Sequence, residues 1–271
     1  AASLRPDAQL GLGIVRALQG PMAIRLDLRA DDAAALTSQL GLGDASLTPE
    51  DQPMHVAAVI EGMAANSFES TLRLEGGGES LAFSGNVIAS DLLKLGGNGN
   101  LQVNISDLSP LVERLGAGGL WLPAIAGNAR IDFEGLDSIR LRDIKGTAGG
   151  EPVSGELRWS RANGAASVGG ALSFEQFSPT GLLALATGPA AAMNLGTGIW
   201  PDGPVATGNE ARTTSGRVDV SAARIALDDT PLLTQARFTL GWDASEVRVR
   251  DFSATLGGGK ATGEFGICCA G

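Results

Sequence analysis

The sequence predicts an all-β fold, and three observations lead to this prediction. Apolar and polar residues alternate with a period of two over much of the chain, as a sheet with one dry face and one wet face requires. Glycine accounts for 39 of the 271 residues, roughly twice its average share of ~7%, and glycine-rich turns are typical of chains with many short strands. Helical signals are confined to three short segments.

The alternation is clearest in residues 216–267, where Val218 and Val220 point to one side and Asp219 and Ser221 to the other. Short Gly, Asp and Ser turns interrupt the pattern there. Earlier in the chain the same pattern predicts eight further strands. They span residues 54–60, 67–75, 80–89, 99–106, 128–134, 138–145, 152–160 and 165–175.

Three short helices are predicted near residues 31–41, 109–116 and 178–187. Each begins at a residue that caps free backbone N–H groups, namely Asp31, Ser109 or Ser178, and each is followed by a glycine that closes it. The closing glycines are Gly41, Gly116 and Gly188, which are 75 and 72 residues apart (116 − 41 and 188 − 116). This spacing predicts a repeating unit of four or five strands and one helix, and the alternative is coincidence.

The chain therefore divides into three predicted regions. Residues 1–188 form repeating, strand-rich units, and residues 189–215 form a linker or long loop that is rich in Gly, Pro, Ala and Thr. Residues 216–271 form a C-terminal β module. The abrupt start and end of the sequence suggest an internal fragment, with this last module truncated.

Charge and composition exclude several classes of partner. The net charge is −10, and the three lysines are Lys94, Lys145 and Lys260. Neither a basic stripe for nucleic acid nor a polybasic patch for an anionic membrane is visible. No apolar run approaches the ~20 residues that span a bilayer, and the two cysteines, Cys268 and Cys269, are adjacent and lack the spacing of a zinc site.

Catalytic motifs are not found in the sequence. His55 is the single histidine, and its apolar neighbours Met54 and Val56 favour a structural or surface role. Paired acids could serve glycoside hydrolysis, but each pair lies at a helix start or in a turn, where Asp satisfies backbone donors. The pairs are Asp31–Asp32, Glu50–Asp51 and Asp228–Asp229. The sequence predicts no enzyme, no catalytic residue and no metal or cofactor.

Glycine-rich runs occur at residues 76–78, 96–99 and 257–259. None has the spacing of a phosphate-binding loop, and all three are predicted as hairpin turns.

Apolar stripes on the strands are the remaining candidates for function. They form either an ordinary sandwich core or the floor of an open trough, and the residues alone do not decide between the two. The candidate groove residues are Ile131, Phe133, Leu157, Trp159, Leu172, Phe174, Val218, Val220, Phe238, Leu240, Trp242, Val247 and Val249.

Residues 200–267 resemble the C-terminal region of the AsmA-like family of Gram-negative bacteria, the AsmA and TamB type of β-groove protein. The resemblance rests on the Trp200-Pro201 entry, the strand 216–227, the sequence Leu240-Gly-Trp242 and above all the run VRDFSATLGGGKATG at 249–263. Residues 128–188 are similar in style.

The resemblance implies an elongated, curved antiparallel sheet that forms a repeating β-groove with a hydrophobic interior. It also implies a periplasmic protein, anchored in the inner membrane by an N-terminal helix, that moves phospholipid in support of outer-membrane biogenesis. Phospholipid acyl chains are then the expected partner. Two alternatives remain open, namely a structural or adhesive cell-surface β-solenoid with a closed core, and a carbohydrate-active enzyme that uses a paired acid.

Overall fold

The structure is a computed structural model. It describes residues 3–6, 21–33, 52–63, 67–91, 94–108, 122–178, 213–227 and 230–268. The described secondary structure is almost entirely strand, and Ala33 is its one helical position. The all-β prediction is therefore confirmed.

Within the described residues, fourteen strands follow one another in the sheet in the same order as in the chain. They are β1 (Ser3–Pro6), β2 (Pro21–Ala30), β3 (Met54–Met63), β4 (Phe68–Gly76), β5 (Glu79–Asp91), β6 (Lys94–Ile105), β7 (Ile125–Glu134), β8 (Ser138–Ala148), β9 (Glu151–Ala162), β10 (Ala165–Phe177), β11 (Thr214–Leu227), β12 (Thr230–Trp242), β13 (Glu246–Leu256) and β14 (Gly259–Cys268).

These strands belong to two compact units. Unit 1 comprises residues 1–106 and 126–142, and unit 2 comprises residues 107–125 and 143–271. The predicted linker at 189–215 lies outside the described residues except for its last three, and β11 begins there at Thr214. Most positions of the three predicted helices lie outside the described residues, and the helices stay predictions. Of the first only residues 31–33 are described, with Ala33 helical; the second is not described, and of the third only Ser178 is.

In unit 1, strands β1 to β6 pair antiparallel with their neighbours. The register aligns the alternating residues of successive strands, so that apolar residues share one face and polar residues share the other. One apolar row crosses five strands through Leu26, Ala58, Leu72, Phe83 and Leu101. One face is therefore mainly apolar and the other mainly polar, with Ser70 on the former and Val59 on the latter as exceptions.

In unit 2, strands β9 to β14 are also antiparallel, with one exception. Strands β10 and β11 run parallel, with Val168 opposite Gly216. A parallel pair needs a long crossover connection instead of a tight hairpin, which explains why strand alternation is interrupted in the sequence before Thr214.

The glycine run at 96–99 was expected to form a turn, and this prediction is wrong, because these residues lie inside β6. Gly99 is directly opposite Gly85 on β5, and a Cβ at position 99 would lie 2.4 Å from the carbonyl oxygen of Ser84. Glycine is needed there because the neighbouring backbone approaches closely on the apolar side. The other two runs form the predicted turns, at Gly77–Gly78 and Gly257–Gly258.

Two hairpins, β8–β9 and β13–β14, repeat the same local design. Each contains an Arg-Asp pair followed, at the same spacing, by a Gly-Gly turn. The aspartates, Asp143 and Asp251, have φ angles of 52° and 55°, in the left-handed region. At Asp251 the register of β13 against β14 shifts between Val249 and Phe252, which marks a β-bulge and keeps those two apolar residues on one face.

Candidate functional site

Unit 1 carries a continuous apolar surface on β2–β6, which we call the apolar face of unit 1. Its residues come from alternate positions of five neighbouring strands, and the register places them side by side. They are Ile24, Leu26, Leu28, Val56, Ala58, Ile60, Leu72, Leu74, Leu81, Phe83, Leu101 and Val103.

Burial across the apolar face of unit 1 is uneven. Residues toward both ends of the strands are buried, with Met54 at 3% and Ile105 at 2% exposure at one end and Phe68 and Ser70 at 7% toward the other. The central row through Leu26, Leu72 and Leu101 is only half-buried. A closed core would be driest at its centre, so this face is covered toward its ends and accessible in the middle.

The opposite face of unit 1 is mainly polar and carries several ion pairs. Arg25 lies 3.2 Å from Glu61, and Arg73 lies 2.6 Å from Glu75. A cavity of about 700 Å³ opens on unit 1. Its lining contains polar-face residues such as Arg25, Asp27 and Arg73, and it also contains the central row of the apolar face, Leu26, Ala58, Leu72, Phe83 and Leu101.

His55 belongs to this polar face. Its Nε2 lies 3.3 Å from Oδ2 of Asp27, and its Nδ1 lies 3.9 Å from Oε2 of Glu75. The imidazole contact, assisted by Arg29, holds the pKa of Asp27 below its ordinary value, although desolvation opposes the shift. His55 therefore lies among the charged side chains of this face, between Asp27 and Glu75.

Eleven of the predicted groove residues lie in unit 2, and the register brings them onto one face. One row runs through Leu157, Gly170, Val218, Leu240 and Val249. Seven of the eleven are buried, at 2–9% exposure. These seven are Val218, Val220, Phe238, Leu240, Trp242, Val247 and Val249.

The other four in unit 2 are half-buried and pack against that buried cluster; they are Leu157, Trp159, Leu172 and Phe174. Aromatic contacts tie the cluster together, with Phe177 5.3 Å from Phe174 and 5.5 Å from Phe238 between ring centroids. Unit 2 thus has a packed apolar interior. Whether its predicted residues also contact lipid stays a prediction.

Ile131 and Phe133 lie in unit 1 on β7, and both are half-buried. The Phe133 ring meets Phe83 edge to face, with 6.1 Å between centroids, and also lies against Gly97. Through this contact the predicted residue Phe133 joins the apolar face of unit 1 at β5 and β6.

Most of the apolar face of unit 1 was missed by sequence reasoning. The signal was present in β2, where Ile24, Leu26 and Leu28 alternate with Arg25, Asp27 and Arg29. It was also present in β4, as Leu72 and Leu74 between charged residues. A short run of alternating apolar and polar residues has the same sequence pattern whether its apolar side becomes part of a core or an open surface.

Reactive clusters are not found in the part of the chain that the structure describes. No group of three metal-ligating side chains occurs among these residues. Glu50–Asp51 and Asp228–Asp229 lie outside them, and Asp31–Asp32 directly follows β2.

Comparisons with known proteins add no relatives. No protein-family model, curated protein or solved structure matches this chain. Within the described residues, no helix has the length and apolar character to cross a bilayer. Candidate function therefore rests on the two apolar surfaces and on the polar faces opposite them.

Proposed function

We propose that the chain binds phospholipid acyl chains on the apolar face of unit 1, as a lipid-carrying β-groove of the AsmA-like type. In this proposal it acts in the periplasm, in support of the outer membrane, and its full-length form is anchored in the inner membrane. No catalytic step is involved. The chain shields lipid tails from water while the head groups remain in solvent.

The half-burial of the central row on the apolar face of unit 1 is the observation that supports this proposal. Leu26, Leu72 and Phe83 lie in one row across the paired strands, and none is fully buried. A stable soluble protein rarely leaves a contiguous apolar patch of this kind without a partner. Aliphatic side chains without polar groups suit an acyl chain, which offers no hydrogen bonds.

Burial of the acyl chains would supply the binding free energy. Each methylene that leaves water contributes about 0.8 kcal/mol, so two acyl chains outweigh the cost of ordering them on a preformed surface. Gly85 and Gly99 face each other across β5 and β6, so no side chain stands between the central row and the ends of these strands there.

The test is mass spectrometry of an organic extract from purified folded protein. We expect phospholipid in the extract of the wild type and a loss of most of it in Leu72→Asp, which places a charge in the central row. The matched control is Thr71→Asp. Thr71 is the neighbour of Leu72 on β4, and its side chain lies on the polar face. This variant should retain lipid at the wild-type level.

Thermal unfolding of all three proteins checks that each is folded. A lipid-free extract from folded wild type would overturn the proposal. Equal lipid in folded Leu72→Asp would show that lipid binds elsewhere than on this face.

A second candidate function is a structural β-solenoid with a closed core. The burial of Val218, Val220 and Val249 at 2–5% exposure favours it for unit 2. A structural protein of this kind would yield no lipid and would be indifferent to a charge at position 72, apart from its effect on stability. The same extraction experiment therefore separates the two functions.

A further inference from the structure

The polar face of unit 2 carries two arginines that flank a glycine in register. Gly169 on β10 is opposite Arg158 on β9 and opposite Arg217 on β11. We propose that these two arginines hold a phosphate-bearing ligand over Gly169. The site lies on the face opposite the apolar interior of unit 2, so it does not depend on the proposed lipid groove.

Serine hydroxyls form the adjacent row of the same face. Ser167 on β10 is opposite Ser160 on β9 and opposite Ser215 on β11. The hydroxyls of Ser160 and Ser167 are 2.7 Å apart and exposed. Three strands thus present two guanidinium groups and three hydroxyl groups around one position that has no side chain.

The spacing suits a single anion. Neighbouring strands are about 4.8 Å apart, so the Cα atoms of Arg158 and Arg217 are separated by roughly 9.6 Å. Each arginine side chain is longer than half that separation, so both can reach an anion above Gly169. Guanidinium groups bind phosphate bidentately through parallel N–H donors, and serine hydroxyls can donate to the remaining oxygens.

Packing does not explain the glycine at position 169. A Cβ there would meet only the carbonyl oxygen of Arg217, at an ordinary 3.7 Å. By contrast, a Cβ at Gly170, the next residue, would lie 2.2 Å from the carbonyl oxygen of Glu156. The fold requires glycine at position 170, because a side chain there would clash with the neighbouring backbone. At position 169 the fold would tolerate a side chain, and the glycine leaves the backbone between the two arginines uncovered.

The two arginines are also available. Within the described part of the chain, neither guanidinium has an ion pair or a side-chain hydrogen bond. Arg248, in the same row on β13, is instead paired with Glu246 at 2.7 Å. The nearest acids on this face are Glu156 and Asp219, each two residues along its strand, and Asp219 accepts a hydrogen bond from Thr239.

The experiment is an NMR titration of the ¹⁵N-labelled chain with glycerol 3-phosphate at low ionic strength, against sodium chloride at matched ionic strength. We expect saturable shifts of the Gly169 amide and of the Arg158 and Arg217 Nε–H signals. Arg158→Gln and Arg217→Gln should each weaken binding about tenfold or more, which corresponds to the loss of one charge-assisted contact.

Two further variants sharpen the test. Gly169→Val fills the floor with a residue that strands favour, so we expect a folded protein that no longer binds. Arg25→Gln, which removes an ion-paired arginine of unit 1, should bind as the wild type does. If chloride produces the same shifts, or if folded Gly169→Val binds normally, the site does not exist.

A second arm identifies the source of the phosphate. Sedimentation with phosphatidylcholine vesicles, with and without phosphatidic acid, tests a lipid head group. Retention by phosphatidic acid vesicles that is lost in Arg217→Gln assigns a lipid ligand, and binding of glycerol 3-phosphate alone assigns a soluble one. Failure in both arms overturns the proposal and leaves the lipid-extraction result unaffected.

Discussion

The indole ring of Trp242 lies directly over Gly216 on the neighbouring strand. A Cβ at position 216 would be 2.1 Å from ring atom Cζ2, and the two residues are direct cross-strand partners. The ring covers the Gly216 backbone, which has no side chain of its own. The indole Nε1 donates a hydrogen bond to Oγ1 of buried Thr214, at 3.4 Å. This contact closes one end of the apolar interior of unit 2.

Gly216→Ala should therefore destabilise the protein. The new methyl group has no room unless the Trp242 ring moves, and overpacking of this kind costs typically 1–3 kcal/mol. Urea unfolding followed by circular dichroism measures the change. Gly263→Ala is the matched control, because a Cβ there meets nothing within 4 Å. Equal midpoints for the two variants would mean that the indole ring does not cover Gly216 in solution.

The two units should respond differently to loss of a phenylalanine. Phe238 is 5% exposed at the centre of an aromatic cluster, so Phe238→Ala should cost about 3–5 kcal/mol. Phe83 is only half-buried, and Phe83→Ala should cost clearly less. Urea unfolding of both variants supplies the comparison. A loss at Phe83 as large as that at Phe238 would indicate a closed core in unit 1 and remove the basis for lipid binding there.

The two aspartates with positive φ make a third prediction. Asp251 has a φ of 55°, a conformation that costs a residue with a Cβ about 1–2 kcal/mol and is worst for β-branched residues. Asp251→Val should destabilise the protein, whereas Asp251→Gly should be neutral or stabilising. Asp143 has the same geometry, so Asp143→Val and Asp143→Gly should repeat the pair of effects. Thermal unfolding reads out all four, and a stabilising Asp251→Val would contradict the bulge.

The strands were predictable because their signal is local. Each of these signals spans only a few residues. They are the period-two alternation, the Gly-Gly turns and the Asn163-Gly164 turn, where both residues have positive φ. Residues 96–99 were misassigned because the reason for their glycines is not local. It lies in Gly85 on the preceding strand and in the rings of Phe83 and Phe133, which only the register reveals.

The candidate site was harder to predict than the fold. Val218 and Leu26 have the same alternating surroundings in the sequence, yet one is buried and the other half-buried. Burial depends on what packs above the sheet, and a single strand carries no information about that. The arginine pair around Gly169 likewise arises from the parallel register of β10 and β11, which joins residues far apart in the chain.

The Asp27–His55 contact makes the stability of unit 1 depend on pH in the acid range. The pKa of Asp27 is held below its ordinary value of 3.8, chiefly by the contact with the His55 imidazole at 3.3 Å. The unfolded chain therefore binds a proton more readily than the folded one, so the contribution is present above the ordinary pKa and lost as the pH falls through the folded value.

Asp27→Asn should accordingly lose less stability than the wild type between about pH 5 and about pH 3. Urea midpoints at the two pH values give the comparison. Because Asp27 is exposed, the difference should shrink in high salt, which screens surface charges. His55→Gln should reduce the same pH dependence, and adding Asp27→Asn to it should change little further. Additive effects of the two substitutions would show that the carboxylate and the imidazole act independently.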